Sequence, residues 1–302
     1  MELGIKITPT RQGTALVDQG EFYLKASDNV QKIEAEFNYF QNLPVQLRSF
    51  HPEVKRSNPG QAGTYLIKKI LCQDAAIVFA GSGQFPAEYL QILLKQIDRF
   101  LDLCPKQNLS SHEFQALIRK ETVDRNLERC QKIKALPQQA ELSQLVKNKG
   151  FSDLPTLAKK LNELALSFSE KVADPISIYS HGDLCFSNLL LINQQLFLID
   201  PRGQSSKEDV FRSPYYDFAK LSQCLLGFYD FINYSMEDPS IEFKKSARQL
   251  FESFLIKRGI HLKLTRAIEA SHFFSMIPLH ADNPRKTQRF LQRSMEILNE
   301  LS

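Results

Sequence analysis

The segment from residue 178 to 203 contains the side chains best suited to chemistry. His181-Gly182-Asp183 is followed five residues later by Asn188, and Asp200 ends an apolar run. Carboxylate and amide oxygens can hold Mg²⁺ together with substrate phosphates. A second carboxylate can accept the proton of a substrate hydroxyl. This set of groups therefore predicts transfer of a phosphoryl group from Mg-ATP.

The spacing of these groups agrees with the kinase pattern H-R-D-x-x-x-x-N, in which a metal-binding Asp follows on the next strand. Gly182 stands where that pattern has Arg, and Asp200-Pro201-Arg202-Gly203 stands where it has D-F-G. Under this interpretation Asp183 positions the substrate hydroxyl and accepts its proton. Asn188 and Asp200 hold the magnesium ions.

A predicted hairpin supports this placement. The apolar runs 188–192 and 196–199 flank the polar residues Asn193-Gln194-Gln195, a pattern typical of two strands joined by a turn. Such a hairpin would return Asp200 to the side of Asn188, so that both side chains reach one ion. A short strand over 176–179 and a polar loop precede it.

Two other interpretations of the segment are weaker. A metal hydrolase could use His181 and the aspartates, but no second histidine lies nearby at ligand spacing. Cys185 could be a nucleophile, but its position between Leu184 and Phe186 favours a packing role. The H-G-D tripeptide is common by itself, and the combination with Asn188 and Asp200 makes it specific.

The composition is that of a globular protein and does not indicate a nucleic-acid or membrane partner. Its 302 residues suffice for one large domain or two lobes, and a net charge of +4 gives no case for nucleic acid while it suits a polyanion such as ATP. No apolar run approaches the roughly 20 residues of a membrane span, and the N-terminus lacks a signal-peptide pattern. Five scattered cysteines without a CxxC pair favour reduced thiols and a cytoplasmic location.

The pattern of the chain changes near residue 71, and it predicts an α+β fold of two lobes. Residues 1–71 form a strand-rich nucleotide-binding lobe, with a helix capped by Asp28 and Gln31 and ended by Pro44, and with a loop over 51–63. Its predicted strands cover 5–7, 15–17, 21–25 and 64–71. Residues 72–302 form a mostly helical lobe that carries the catalytic loop and the substrate site. Its predicted helices cover 86–104, 112–136, 153–171, 215–230, 240–258, 262–277 and 284–301.

The first lobe should supply the phosphate contacts. Lys25, at the end of the third strand, and Glu36, in the next helix, predict the ion pair that such a site needs. Glu34 is the alternative partner. Glu36 is favoured because seven residues separate it from the helix end at Leu43-Pro44, as expected for an inward-facing position.

The predicted phosphate loop is atypical. The turn 9–14 contains the single glycine Gly13 and no G-x-G-x-x-G motif. Backbone N–H groups with the hydroxyls of Thr10 and Thr14 could still cradle phosphate, and an ordinary hairpin turn is the alternative. The backbone near Ile70, in the connection between the lobes, could pair with adenine.

Taken together, these residues resemble the aminoglycoside phosphotransferase and choline kinase-like family. The resemblance rests on Lys25, Glu36, HGDLCFSN (181–188), LIDPRG (198–203) and SPYYDFAKL (213–221), and it covers most of the chain. It implies a bilobal protein-kinase-like fold, with a small antiparallel-sheet lobe and a larger helical lobe. It also implies ATP- and Mg²⁺-dependent phosphorylation of a small-molecule hydroxyl.

The resemblance also assigns residue roles. It makes Asp183 the catalytic base, Asn188 and Asp200 the Mg²⁺ ligands, and His181 a structural histidine of the loop. Asp217, in a Y-D-x-A segment, would steady the catalytic loop through backbone contacts. Alternatively, or in addition, Asp217 is the N-cap of a helix over 218–228.

The acceptor is expected to be a sugar or a sugar derivative. The forms HGDLCFSN and DPRG, with FFSMIPLHADNPRK (273–286), resemble a bacterial subgroup linked with capsule, lipopolysaccharide or sugar-nucleotide metabolism. Candidate substrate contacts are Arg202, His280, Asp282 and Arg285. A helix–helix turn capped by Asp282 or Asn283 is the alternative for that region.

Other functions remain as alternatives. A choline or aminoglycoside kinase would use the same site. A pseudokinase would bind a nucleotide without transferring phosphate, and a polysaccharide-assembly adapter would only bind a partner. Retention of Lys25, Asp183, Asn188 and Asp200 favours an active enzyme. A protein kinase is disfavoured because Gly182 replaces the motif arginine and because Asp217 follows Asp200 too closely for an activation segment.

Overall fold

The structure is a computed structural model, and it describes residues 7–9, 14–58, 62–206 and 208–302. Two of the predicted phosphate-loop residues, Thr10 and Gly13, lie outside the described residues. The chain forms two compact units, each built from several segments. The first comprises Met1–Val78, Glu88–Pro105 and Ile178–Phe211, and the second comprises Phe79–Ala87, Lys106–Ser177 and Arg212–Ser302. The division into functional lobes at residue 71 stays a prediction.

Ten short strands occur in the described residues. They are β1 (Ile7–Pro9), β2 (Thr14–Gln19), β3 (Phe22–Ser27), β4 (Val54–Arg56), β5 (Thr64–Lys68), β6 (Lys106–Asn108), β7 (Ile176–Tyr179), β8 (Leu189–Ile192), β9 (Gln195–Leu198) and β10 (Phe211–Arg212). The first five form an antiparallel sheet in the order β1-β2-β3-β5-β4. The α+β fold class with a small antiparallel sheet is confirmed.

Twelve α-helices make up most of the described chain. They are α1 (Val30–Gln41), α2 (Ala75–Gly81), α3 (Ala87–Leu103), α4 (Ser111–Ile118), α5 (Asp124–Lys134), α6 (Gln139–Asn148), α7 (Leu154–Ser169), α8 (Pro214–Leu225), α9 (Tyr229–Asn233), α10 (Ile241–Lys257), α11 (Leu262–Met276) and α12 (Pro284–Leu301). None of these described helices is both long enough and apolar enough to span a membrane.

Several predicted elements differ from the observed ones. The segment 51–63 is not wholly a loop, because Val54–Arg56 adds an edge strand beside β5. The predicted helix over 112–136 is interrupted by a π-helical turn, Arg119–Val123, between α4 and α5. The sequence pattern does not predict helices α2 and α6. The predicted strand over 64–71 ends at Lys68, two residues before Ile70.

Two predicted helix caps are wrong. Helix α1 is capped by Asn29, whose side chain accepts a hydrogen bond from the Lys32 backbone N–H at 3.1 Å, and not by Asp28. Helix α8 begins at Pro214 after the cap Ser213, so Asp217 lies inside its first turns and is not an N-cap. Backbone geometry decides which side chain reaches the free N–H groups at a helix start. Where several short polar residues are close in sequence, the sequence does not show which of them is the cap.

The core of the second unit lies between helices. The described residues of one cluster pack α4, α7, α8 and α11 together through Phe114, Ile118, Ala165, Phe168, Tyr215, Ala219, Leu264, Ala267 and Ile268. The Glu121 carboxylate in the π-helical turn accepts a hydrogen bond from the Ser213 backbone N–H at 3.0 Å. The π-helical turn therefore supplies a hydrogen-bond acceptor for the backbone N–H of the residue that caps α8.

The predicted hairpin is confirmed in the first unit. Strands β8 and β9 pair antiparallel, with Ile192 opposite Gln195. Asn193 and Gln194 both have positive φ, 49° and 62°, as a two-residue type I′ turn requires. The hairpin brings the residue after β9 back to the start of β8, where the Ile199 backbone N–H donates to the Asn188 carbonyl at 3.1 Å.

Candidate active site

The site is centred on a buried lysine. Lys25 lies inside β3, which continues to Ser27, and not at the strand end. Its Nζ is 2.6 Å from Glu36 Oε2 and 2.7 Å from Asp200 Oδ1, and only 4% of the residue is exposed. Burial disfavours the ammonium, but the carboxylates of Asp200 and Glu36 outweigh burial and raise the pKa of Lys25 above its ordinary value. Lys25 therefore keeps its charge.

The helix α1 presents Glu36 to this lysine. Ile33, Phe37 and Phe40 form its buried apolar face as predicted, and Glu36 lies on the same face with 2% exposure. The ion pair predicted between Lys25 and Glu36 is thus present. A buried carboxylate without a partner would be costly, so the pair fixes the helix against the strand.

Tyr65 completes this arrangement and was missed in the sequence. Strand pairing places it directly opposite Lys25, on β5, and its hydroxyl donates to Glu36 Oε2 at 2.9 Å. Burial, followed by the neighbouring carboxylates, raises the pKa of Tyr65 well above its ordinary value, so the hydroxyl keeps its proton. The signal for Tyr65 is the strand register, which the sequence alone does not give.

Glu34, the alternative partner, points elsewhere. Its carboxylate accepts hydrogen bonds from the Arg56 guanidinium at 2.7 Å and from the Gly63 backbone N–H at 2.9 Å. The hydrogen bond from Arg56 lowers the pKa of Glu34. This separate pair holds α1 to the edge strand β4 and leaves Glu36 as the partner of Lys25.

Asp200 lies where the backbone is strained and the side chain is open to solvent. Its φ is +54°, in the left-handed region that non-glycine residues seldom adopt. Half of its side chain is exposed, although one oxygen contacts Lys25. Strain of this kind persists where the surroundings over-determine the backbone, and it is common at active sites.

Gly203 fixes the segment after Asp200 against helix α1. Its φ is +91°, and an added Cβ would lie 2.7 Å from the Ala35 carbonyl carbon and 2.8 Å from the Glu36 nitrogen. The next residue, Gln204, donates its backbone N–H to the Ala35 carbonyl at 2.8 Å. Only glycine permits this approach of two backbones, which ties the Asp200 segment to the helix that carries Glu36.

The predicted catalytic loop lies beside this segment. The Asn188 side-chain N–H donates to the Asp183 carbonyl at 3.0 Å, which leaves the amide oxygen facing the other way. The Arg202 backbone N–H donates to the His181 carbonyl at 3.0 Å. Asp183 itself is half-buried. The first unit therefore contains all of the groups predicted for catalysis and metal binding.

His181 is fully buried and uncharged. Burial lowers its pKa to about 4, so the ring is neutral at physiological pH. Its ring contacts that of Tyr39 edge-on, with 6.1 Å between centroids, and is stacked on that of His51 at 6.1 Å. These contacts suit a structural role, which stays a prediction.

The donor groups fit Mg²⁺ held together with phosphate. Among the described residues, no three His, Cys, Asp or Glu side chains are grouped so that they could hold a metal alone. Mg²⁺ usually takes one or two protein ligands and completes its shell with water and substrate phosphates. Asn188 and Asp200 offer an amide and a carboxylate, which is the number and type of donors that such a nucleotide-linked ion needs.

The other predicted nucleotide contacts are less defined. Thr14 begins β2 and is buried. Ile70 is half-buried beyond the end of β5, and its carbonyl accepts from the Cys72 backbone N–H at 3.1 Å. Their roles in nucleotide binding stay predictions, as does the support of the catalytic loop by Asp217, which is fully buried in α8.

The predicted substrate residues differ in their exposure. Arg202 belongs to the first unit and is exposed. In the second unit His280 is 5% exposed and packs edge-on against Phe290, with 5.0 Å between the ring centroids. Asp282 and Arg285 are exposed, and Arg285 borders a polar cavity of about 240 Å³ beside Glu237 and Arg289. Substrate contact by any of them stays a prediction.

No model of a protein family matches the sequence, and no curated protein matches it. Solved structures are similar over almost the whole chain. A glucosamine kinase in complex with glucosamine, ADP and inorganic phosphate has a TM-score of 0.59 at 12% identity, with 99% of this chain and 80% of that chain covered.

Two further structures extend this similarity. A choline kinase from Streptococcus pneumoniae has a TM-score of 0.52 at 11% identity, covering 97% of this chain and 94% of its own. The streptomycin–ATP–APH(2'')-IIa ternary complex has a TM-score of 0.54 at 16% identity, covering 97% and 93%. The chain therefore has the protein-kinase-like phosphotransferase fold of these small-molecule kinases.

Proposed function

We propose that this protein is an ATP- and Mg²⁺-dependent kinase that transfers the γ-phosphoryl group to a hydroxyl of a small molecule. The observation that carries the proposal is the buried contact of Lys25 with both Glu36 and Asp200. It links the strand, the helix and the hairpin that a kinase site requires. The fold shared with small-molecule kinases supports the same conclusion.

Each residue then has a definite task. Lys25, kept charged by Asp200 and Glu36, contacts the nucleotide phosphates. Asn188 and Asp200 hold Mg²⁺, which when bound neutralises charge on the transferred group. Asp183 orients the acceptor hydroxyl and takes its proton as the phosphoryl group transfers. His181 and Asp217 support the catalytic loop, and Thr14 and Ile70 border the nucleotide.

The acceptor we propose is a sugar or amino-sugar hydroxyl. The support is the glucosamine kinase among the similar structures. Arg202, His280, Asp282 and Arg285 are the proposed contacts, because charged and imidazole groups can hydrogen-bond hydroxyl and amino substituents. A choline or aminoglycoside acceptor is the alternative within the same reaction class. The use of ATP is consistent with a cytoplasmic location.

The proposal is tested with purified protein and Mg-ATP. ADP release is measured against glucosamine, other amino sugars, neutral sugars, choline, ethanolamine and streptomycin. The Asp183→Asn variant should lose about 10²–10⁴-fold in turnover, because general-base assistance contributes that much. The matched control is Asp174→Asn, which changes an exposed carboxylate of the second unit and should leave turnover unchanged.

Three outcomes separate the candidate functions. Turnover with one acceptor class and loss in Asp183→Asn supports the kinase and identifies its substrate. Mg-dependent nucleotide binding without turnover across the panel would favour a regulatory nucleotide-binding protein. Absence of Mg-dependent nucleotide binding contradicts the proposal altogether.

A further inference from the structure

His51 is a buried histidine that the proposed function does not use. It follows the 3₁₀ helix Val45–Phe50 and is 6% exposed. It is the first residue of the loop predicted over 51–63, and the sequence pattern predicts no role for it. Burial lowers its pKa to about 3, so the ring is neutral at physiological pH and carries one ring hydrogen.

The first contact of His51 is with the end of β9. Its Nδ1 lies 3.0 Å from the Leu198 carbonyl oxygen. A carbonyl only accepts, so this bond requires the hydrogen on Nδ1 and thereby fixes the tautomer of the ring. Leu198 precedes Asp200 by two residues. The bond thus anchors the strand end just before the strained backbone of the proposed metal ligand.

The second contact is with the catalytic loop. The rings of His51 and His181 are stacked, with centroids 6.1 Å apart and planes inclined by 9°. His181 begins the H-G-D segment that ends in Asp183. One imidazole therefore touches both chain segments from which the proposed base and the proposed metal ligand come.

The third contact is with helix α1. The Tyr39 and Phe40 rings meet the His51 ring edge-on, at centroid distances of 5.6 and 5.7 Å. Edge-to-face contacts of this kind add stabilisation beyond burial alone. These aromatic residues follow Glu36 by three and four positions, so they lie on its face of the helix. His51 consequently contacts three of the segments that carry the site, namely the end of β9, the catalytic loop and α1.

We propose that His51 is a positioning residue that holds the end of β9, the catalytic loop and α1 in one arrangement. The effect on catalysis rests on the proposed function. The hydrogen bond to Leu198 fixes the position of the backbone two residues before Asp200. The stacked ring of His181 fixes the position of the segment that leads to Asp183. His51 touches no reacting atom and acts only through the residues that it holds.

Two substitutions separate the bond from the ring. His51→Phe keeps an aromatic ring but loses the donor, whereas His51→Asn keeps a donor near the Nδ1 position but loses the ring. Groups that hold metal ligands in position typically contribute about 10–100-fold to metal affinity. We expect His51→Phe to raise the Mg²⁺ concentration for half-maximal ADP binding by about 10-fold or more, and His51→Asn to recover most of that loss.

The matched control is Phe50→Leu, which changes the last residue of the 3₁₀ helix, the buried aromatic residue just before His51. Phe50 packs against Phe100, with 5.5 Å between the ring centroids. Phe50→Leu should lower the melting temperature without changing the Mg²⁺ concentration for half-maximal ADP binding. An equal Mg²⁺ shift in Phe50→Leu and His51→Phe, or no shift in His51→Phe, overturns the positioning role.

Crystal structures of the ligand-free wild type and of ligand-free His51→Phe test the same proposal without activity. We expect Leu198–Asp200 to move and the Lys25–Asp200 contact of 2.7 Å to be lost. Superposition of these residues on the wild type would contradict the proposal, whatever the enzyme does. Failure of the wild type to bind Mg-ADP would instead overturn the proposed function, while the two crystal structures would still decide whether His51 positions the segment.

Discussion

Two buried cations in this molecule have similar surroundings. In the first unit Lys25 contacts Glu36, whose side chain is 3% exposed, and Asp200, which is 50% exposed. In the second unit Arg266 contacts Glu269, which is fully buried, and Glu300, which is 48% exposed. Each cation therefore joins one buried carboxylate to one carboxylate at the surface.

The difference lies in what surrounds the surface carboxylate. Asp200 has a left-handed backbone, a glycine that must approach helix α1, and Asn188 at the paired end of the hairpin. Glu300 lies in the last turn of the regular helix α12, where the exposed Arg248 gives it a second cation. A buried ion pair alone is thus weak evidence of function. Strain in the backbone of the surface carboxylate itself, together with the neighbouring amide of Asn188, distinguishes the first network from the second.

The sharpest test of this comparison is Asp200→Asn. The change keeps the shape of the side chain but removes the charge that the proposed Mg²⁺ needs. We expect kcat to fall by at least about 10²-fold, since even changes to the groups that hydrogen-bond metal ligands can cost that much. The melting temperature should stay near that of the wild type. Steady-state kinetics and thermal unfolding of the same preparation measure both quantities.

A raised Mg²⁺ concentration supplies the control for that experiment. If Asp200 binds the ion, excess Mg²⁺ should restore part of the activity of Asp200→Asn and none of that of Asp183→Asn. Equal activity of Asp200→Asn and wild type at limiting Mg²⁺ would place the metal ligand elsewhere.

In the second network the expected effect is on stability. Arg266→Met leaves the Glu269 carboxylate buried without its cation, which typically costs about 3–5 kcal/mol. Burial already raises the pKa of Glu269, and loss of Arg266 would raise it further. The loss of stability should therefore be smallest at acid pH, where Glu269 is protonated, and should grow as pH rises through the folded-state pKa. Chemical denaturation between pH 5 and pH 8 measures it.

The double variant Arg266→Met/Glu269→Leu is the matched control. Replacing both members of a buried pair by apolar residues is often neutral or stabilising. We expect its unfolding free energy to return close to the wild-type value, with kcat unchanged. A large loss of kcat at preserved stability in either variant would make the second network functional and would remove the contrast.

The first network was largely predictable from sequence, and the second was not. Lys25 and Glu36 lie in elements with clear local patterns, and the hairpin that returns Asp200 is set by the polar turn at Asn193-Gln194. Arg266 and Glu269 are three residues apart in an ordinary helical pattern, which by itself does not distinguish a buried pair from a solvated one. Their burial depends on how α11 packs, which is a tertiary property.

Other differences between sequence and structure have the same origin. Tyr65 joins the site because the strand register places it opposite Lys25. Strand β4 forms by pairing with β5 alone, which is a contact between segments. Asn29 and Ser213 cap their helices because backbone geometry selects among adjacent polar residues. Local periodicity thus gives element type and the chemical motif. Caps, register and buried charge depend on contacts between segments that are distant in sequence.

A smaller effect is expected where the first network meets helix α1. Gly203→Ala places a Cβ within 2.8 Å of the Glu36 nitrogen at a φ of +91°, and overpacking of this kind typically costs about 1–3 kcal/mol. Because the helix must shift, the Lys25–Glu36 contact should loosen and the KM for ATP should rise. Gly81→Ala is the control, since nothing lies within 4 Å of its added Cβ. Equal unfolding free energies for the two variants would show that the close approach is not constraining.

The smallest expected effect is that of Glu300→Gln, the counterpart of Asp200→Asn in the second network. Glu300 contacts Arg266 at 3.0 Å and Arg248 at 3.3 Å, but its side chain is 48% exposed. Water screens a pair of this kind, so its loss should cost no more than about 1 kcal/mol. The Glu269 carboxylate still balances the charge of Arg266. Turnover should be unchanged, because Glu300 lies in a regular helical turn and has no proposed role in binding the metal or the nucleotide. Two carboxylates of nearly equal exposure, each in contact with a buried cation, should thus differ by at least about 10²-fold in their effect on kcat. A comparable loss of activity in Glu300→Gln would mean that the ion network, and not its surroundings, determines function.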